Sequence, residues 1–204
     1  FDYNSLCNIN PKIIFCSITP FGQTGPYKDY KGSDLVCIAL SGYLYQCGDE
    51  DRAPVRISFP QAYNTAASEA AIAILMALYH RENTGEGQSI DVSIQESHIA
   101  QGGLALVTWD FLKKNLSRTG FYYLSTISWT RTKLVWSCKD GFVSFFPLGG
   151  RLGERFMNEL IKWMDEEGMA DEFIKQINWF DAFDISKVSQ EMIDRVSDII
   201  QKFF

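Results

Sequence analysis

The sequence has no metal-ligand spacing among its cysteines, no secretory segment, no glycine-rich GxGxxG fingerprint, no membrane-length apolar run and no repeat or low-complexity tract. Each absence excludes something. The five cysteines, Cys7, Cys16, Cys37, Cys47 and Cys138, form no CxxC pair. An odd number of them without a leader predicts reduced thiols in a cytoplasmic protein. Each is expected to behave as a small core residue, and neither a metal nor a bound cofactor is expected. The apolar stretch at 65–81 is shorter than the roughly 20 residues a membrane helix needs, and Ser68 and Glu69 interrupt it, so no membrane span is expected. A net charge of −6 argues against a nucleic-acid partner, while leaving room for an anion in a local pocket. There is no initiator Met, and the chain starts at Phe1 as if inside a helix and closes on Phe203-Phe204. The expectation is a piece of a longer chain, with part of any active site outside it.

What is present suffices for a packed core: 46% of residues are hydrophobic and 14% aromatic. Length allows one medium domain, or one domain with a small appendage. The organising stretch is residues 59–97, which reads as loop, long helix, glycine turn and strand. Residues 65–81 are mostly Ala, Leu, Ile, Met and Glu, side chains that lose little freedom in a helix. Ala67, Ala70, Ala71, Ile74, Leu75 and Leu78 follow the helical rhythm. Ala73, Met76 and Ala77 widen the apolar surface, which predicts a helix buried on several sides. Gly85 suits the left-handed position that ends a helix. Residues 88–94 alternate polar and apolar as a half-buried strand does, making half of a crossover unit.

Upstream, residues 1–9 form a short amphipathic segment with Leu6 and Ile9 as candidate core contacts, and Asn10-Pro11 breaks it. Residues 12–18 have the length and apolarity of a buried parallel strand. The Gly- and Pro-rich run 19–27 follows it. It is either a ligand loop beyond a strand's carboxyl end or a tight structural turn. Ser33 or Asp34 can cap a short helix ending at Gly42. Lys31 is a candidate for holding a phosphate or carboxylate, against the plainer reading of a solvated lysine. Residues 54–60 are extended between prolines.

Downstream, residues 96–112 read as one helix weakened by Gly102-Gly103, carrying His98 as a hydrogen-bonded structural residue. Residues 113–131 show no period. Trp109, Phe111, Phe121, Tyr122, Tyr123 and Trp129, on and around that run, suit either a bulky or aromatic ligand or a core or subunit contact. Residues 133–148 read as a hairpin turning at Lys139-Asp140-Gly141. A flexible joint at 149–153 leads to helices at 154–166, 171–177 and 189–203, the last capped by Ser189 with Met192, Ile193, Val196, Ile199 and Ile200 facing inward.

NPKIIFCSITPFGQTGPYKDYKGSDLVCIALSG (10–42), PVR (54–56), the helix, and LYHRENTGEGQSIDVSIQE (78–96) together resemble the family III CoA-transferases of the CaiB/BaiF type. KDGFVSFF (139–146) and the helix after it are similar to that family's small domain. The resemblance implies an α/β fold class. The chain would hold part of a doubly wound parallel-sheet large domain (1–114), a linker (115–132) and a small α+β domain (133–204), in a family whose fold is an interlocked dimer. The N-terminal part, with much of the CoA site, and the C-terminal end would lie outside this chain.

Family members transfer CoA from an acyl-CoA to a carboxylic acid, so a coenzyme A thioester is expected as substrate. The implied route is covalent, through an Asp carboxylate that attacks the thioester. In PVRISFPQAYNTAAS that Asp falls on Tyr63, in the loop before the long helix. A phenol with a pKa of about 10 is a poor nucleophile at neutral pH and cannot form the anhydride. A racemase branch uses a His/Asp pair, matching Ser33 and Tyr63 here, so racemisation is disfavoured. The resemblance makes Lys31, Ser33, Tyr63 and Asn64 the candidate substrate or CoA contacts. Glu69 and Asp34 are the acids that could stand in for the missing nucleophile. The expected function is a transferase subunit with a pseudo-active site, paired in a homo- or hetero-oligomer with a second CoA-transferase subunit that brings the Asp. The alternatives are an active transferase with a relocated nucleophile, or a non-catalytic CoA-binding or structural subunit.

Overall fold

A computed structural model describes residues 2–184 and 186–204. The chain divides into two compact units, Phe1–Arg118 and Thr119–Phe204.

In the first unit the order is α1 (Tyr3–Ile9), β1 (Ile14–Thr19), α2 (Asp34–Leu40), a 3-10 turn (Tyr43–Gln46), α3 (Gln61–Thr84), β2 (Gln88–Ser93), α4 (Ile94–Gln101) and α5 (Gly103–Leu112). Strands β1 and β2 are parallel, in register from Ile14 opposite Gln88 to Thr19 opposite Ser93. The helical segments between them make the expected crossover. Two glycines build the turn into β2. Gly85 ends α3 at φ 78° with its N–H on the Arg81 carbonyl. Gly87 passes so close to β1 that a Cβ there would meet the Ile13 carbonyl oxygen at 1.9 Å. The core is formed by Cys37 and Ile38 of α2, Ala62, Ala66 and Ala70 of α3, and Val92 and Ile94. Small side chains let α3 lie close against its neighbours, so the seam is narrow.

That narrowness overturns the expectation of a helix buried on several sides. Ala67, Ala71, Ile72, Leu75, Met76 and Tyr79 are exposed, because the described residues cover only the alanine stripe. Ile9 is likewise exposed rather than a core contact, whereas Leu6 is half-buried; Phe1 lies outside the described residues. Strand β1 is half-buried, with Ile18 exposed. The expected single helix at 96–112 is two, α4 and α5, interrupted at Gly102, whose N–H folds back to the Ile99 carbonyl.

The second unit contains β3 (Tyr122–Leu124), β4 (Arg131–Lys133), β5 (Val135–Cys138), β6 (Gly141–Ser144), α6 (Gly150–Glu166), α7 (Glu172–Lys175) and α8 (Gln190–Phe203). The unperiodic stretch before 133 contains β3, which pairs antiparallel with β4. Strands β5 and β6 form the expected hairpin, Cys138 opposite Gly141. Trp136 is its anchor, wholly buried among Met157, Met164, Ile174, Ile193 and Ile200, with its indole N–H on the Phe145 carbonyl at 2.7 Å. Ser189 caps α8 by accepting from the Met192 amide. The joint expected at 149–153 is instead the start of α6. At Gly153 the helix backbone approaches the Leu148 carbonyl, where a Cβ would stand at 1.6 Å, so glycine permits a close contact there rather than looseness.

Candidate functional site

Three segments meet at the start of α3. The first residue of the helix follows Pro60, which has no side-chain donor or acceptor to cap it. An α-helix nevertheless leaves its first amides needing acceptors. Asp34, the first residue of α2, supplies one from across the core. Its Oδ1 accepts from the Ala62 amide at 3.0 Å and from the Tyr63 amide at 3.3 Å. The negative carboxylate also suits the positive end of the helix dipole. Asp34 is only 5% exposed, and its Oδ2 has no hydrogen-bond partner. The nearest cation is Arg56, whose Nη2 stands 3.9 Å from Oδ2 and whose side chain is about half exposed.

Tyr63 therefore lies in the first turn of α3, not in a loop before it. Its side chain is 42% exposed. Ser33 is the N-cap residue of α2, exposed, and its hydroxyl makes no capping bond. Tyr63 is tied by its backbone amide to Asp34, the residue that follows Ser33. Lys31 and Asn64 are exposed, and Asn64 offers its carbonyl to the Ser68 hydroxyl. Glu69 is half-buried one and two-thirds turns further along, about 9 Å up the axis and on another side of the helix. It lines a cavity of about 490 Å³ with Ile72, Met76, Asp91 and Glu96, in which neither Tyr63 nor Ser33 takes part.

The Gly/Pro run after β1 is a built structure at the carboxyl end of that strand. The Gln23 amide donates to Asp91 Oδ2 at 2.8 Å, and the Pro20 carbonyl accepts from Gln95. A Cβ on Gly32 would meet that of Pro20 at 2.6 Å, so the loop closes on itself just before Ser33.

His98, expected to be hydrogen-bonded, is not. It is wholly buried on α4, edge-on to Tyr43 at 5.0 Å, with neither ring nitrogen partnered. Burial pushes its pKa below the usual histidine value, against the weaker pull of the Asp34 charge. An imidazole packed this way serves the core. Among the described residues no cluster of His, Cys, Asp or Glu is placed to hold a metal, and no helix is long and apolar enough to cross a membrane.

The role of Asp34 as a remote cap was missed by sequence reasoning, as was the place of Arg56. The available signal was Pro60: a helix start without a capping side chain of its own needs an acceptor from elsewhere.

Around the buried Asp34 carboxylate, Tyr63, Ser33 and Arg56 are each exposed to solvent. The sequence matches CoA-transferase family III over residues 1–202. The chain belongs to that family. Among relatives, the family III chain is 33% identical over 169 residues to "Succinyl-CoA:(R)-benzylsuccinate CoA-transferase subunit BbsE" of Thauera aromatica, covering 83% of this chain and 39% of that protein. It is 42% identical over 93 residues to "Succinate--glutarate CoA-transferase" of Agrobacterium fabrum, covering 46% of this chain and 23% of that one. A crystal structure of a CaiB/BaiF family protein from Brucella suis matches 98% of this chain and 48% of its own with a TM-score of 0.67 at 27% identity. The α/β fold class is thus that of the family, and the chain spans less than half the length of these relatives.

Proposed function

We propose that this family III chain belongs to a subunit that takes part in moving CoA between an acyl-CoA and a carboxylic acid, and that it lacks the aspartyl nucleophile. The observation that carries this reading is the start of α3. At the position of the family's Asp stands the exposed Tyr63, and the nearby Asp34 carboxylate is buried with one oxygen bound to two helix amides. An attacking carboxylate must be within reach of the thioester carbonyl, and Asp34 is buried beneath the helix start. Glu69 stands on another side of the helix.

In this reading a partner subunit supplies the Asp. Its carboxylate attacks the thioester carbonyl, CoA leaves as thiolate, and a mixed anhydride forms. The thiolate then attacks the aspartyl carbonyl, releasing the first acid and leaving an aspartyl-CoA thioester. The acceptor acid reverses the sequence and departs as the new thioester. The Thauera relative is named as a subunit, and a relative in Chloroflexus aurantiacus, 34% identical over 122 residues, is a "Succinyl-CoA--L-malate CoA-transferase beta subunit". Both names favour assembly with a second chain. Exposed Lys31, Ser33 and Asn64 are the proposed contacts for the bound thioester.

The test is a Tyr63→Asp substitution in the full-length protein, incubated alone with acyl-CoA and examined by intact-mass spectrometry. The unsubstituted protein is expected to show no adduct and the variant a covalent CoA thioester. An adduct or turnover by the unsubstituted chain alone would overturn the proposal.

A further inference from the structure

The cluster contains a buried carboxylate that the proposed reaction does not use as a nucleophile. Helix α3 follows a proline at its N-cap, so its first amides have no local side-chain cap, and both that are bonded at the site converge on Asp34 Oδ1. A side chain from the same segment would fix the first turn only relative to itself. A carboxylate on α2 fixes it relative to α2, and so relative to Ser33 and to the loop that closes on Gly32. The second bond falls on residue 63 itself, at the position where the family's chemistry is centred.

We infer that Asp34 is a positioning residue: it holds the first turn of α3 against the start of α2 so that the residue at position 63 is kept exposed to solvent in one fixed place. This rests on the proposed function for the meaning of position 63, and on the geometry alone for the placement. Oδ1 carries the two amides and so orients the carboxylate, while Oδ2 makes no hydrogen bond and has the Arg56 guanidinium 3.9 Å away. Misplacing a reacting group by about 1 Å is enough to cost about a hundredfold in rate. A side chain that sets the turn therefore governs how fast a nucleophile placed at position 63 reacts, without itself touching substrate.

The experiment uses the full-length Tyr63→Asp protein as parent and adds Asp34→Asn or Asp34→Ala. Asparagine keeps an oxygen for the two amides and alanine does not. The rate of CoA-adduct formation is expected to fall about tenfold or more with alanine and to stay within about threefold with asparagine. Acyl-CoA affinity, measured by calorimetry, is expected to change less than the adduct rate. In a second measurement, made with Tyr63 intact, hydrogen exchange over residues 61–64 accelerates in Asp34→Ala and not in Asp34→Asn, while residues 70–84 stay as protected as before. Equal adduct rates in the two variants, or exchange that rises along all of α3 in both, would overturn the positioning role. If Tyr63→Asp alone gives no adduct, the proposed function fails, and the exchange comparison still decides whether Asp34 sets the turn.

Discussion

Asp34 and Tyr63, 29 residues apart in sequence, are joined by a hydrogen bond of 3.3 Å from the tyrosine amide to the aspartate carboxylate. The same oxygen holds the Ala62 amide at 3.0 Å. Loss of a helix cap costs about 0.5–2 kcal/mol, and stranding buried amides adds to it. Asp34→Ala is accordingly expected to lower unfolding free energy by about 1–3 kcal/mol, and Asp34→Asn by less. Urea denaturation followed by circular dichroism checks this. A loss under about 0.5 kcal/mol for the alanine variant would mean that water satisfies the turn as well as the carboxylate does.

His98 gives a dependence on pH. Burial lowers its folded pKa beneath the unfolded value, so below about pH 6.5 the unfolded chain binds a proton that the folded one resists. Stability from this residue is present above that pH and is lost as pH falls. The groups around the ring are Asp34 of α2, whose charge favours the protonated form, and Tyr43 of the 3-10 turn, whose own phenol is pushed up by burial. A His98→Phe variant is expected to flatten the difference in urea midpoint between pH 7 and pH 5 relative to the parent. Parallel pH profiles for the two proteins would contradict this account.

The elements of this fold that local chemistry specifies were legible in the sequence. Helix α3 follows from its alanines and leucines, its end from Gly85, and β2 from alternation. The hairpin follows from Asp140-Gly141 and the cap of α8 from Ser189. What was not legible depended on distant partners. Periodicity says which side chains share a face, not whether anything covers it, so Leu75 and Met76 read as core and stand exposed. Pro60 marks the N-terminal edge of a helix that Asp34 completes from 28 residues away, which no window of sequence spans. Gly150 and Gly153 misled for a local reason: glycine reads as looseness, whereas Gly153 lets the start of α6 pass close to the Leu148 carbonyl.

The two glycines before β2 are expected to differ in kind. Gly85 has φ 78° and open space around its missing Cβ, so Gly85→Ala meets only backbone strain, about 1 kcal/mol. Gly87 has no strained φ, but a methyl there collides with the Ile13 carbonyl. Separating β1 from β2 to make room is expected to cost about 1–3 kcal/mol or more. Thermal unfolding of the two single variants checks the order, and a Gly85→Ala protein less stable than Gly87→Ala would show that the strands tolerate the gap.

Trp136 tests the second unit. Its indole is wholly buried, its N–H is bonded to the Phe145 carbonyl, and it packs edge-on to Phe204 with ring centroids 5.7 Å apart. Removing it leaves a cavity and an orphaned carbonyl, and substitutions of this size cost about 3–5 kcal/mol. Trp136→Phe fills most of the space but cannot donate, so it isolates the hydrogen bond at about 0.5–1.5 kcal/mol plus a smaller packing loss. The expected order of stability is therefore parent, then phenylalanine, then alanine, read from urea titrations of the whole chain. Because Asp34 lies in the other unit, the Trp136 and Asp34 effects are expected to add in the double variant to within about 0.5 kcal/mol when unfolding is one transition. If the units unfold separately, Trp136→Ala is expected to move only the transition of its own unit, and a shift of both by the same amount would mean that the two are energetically one.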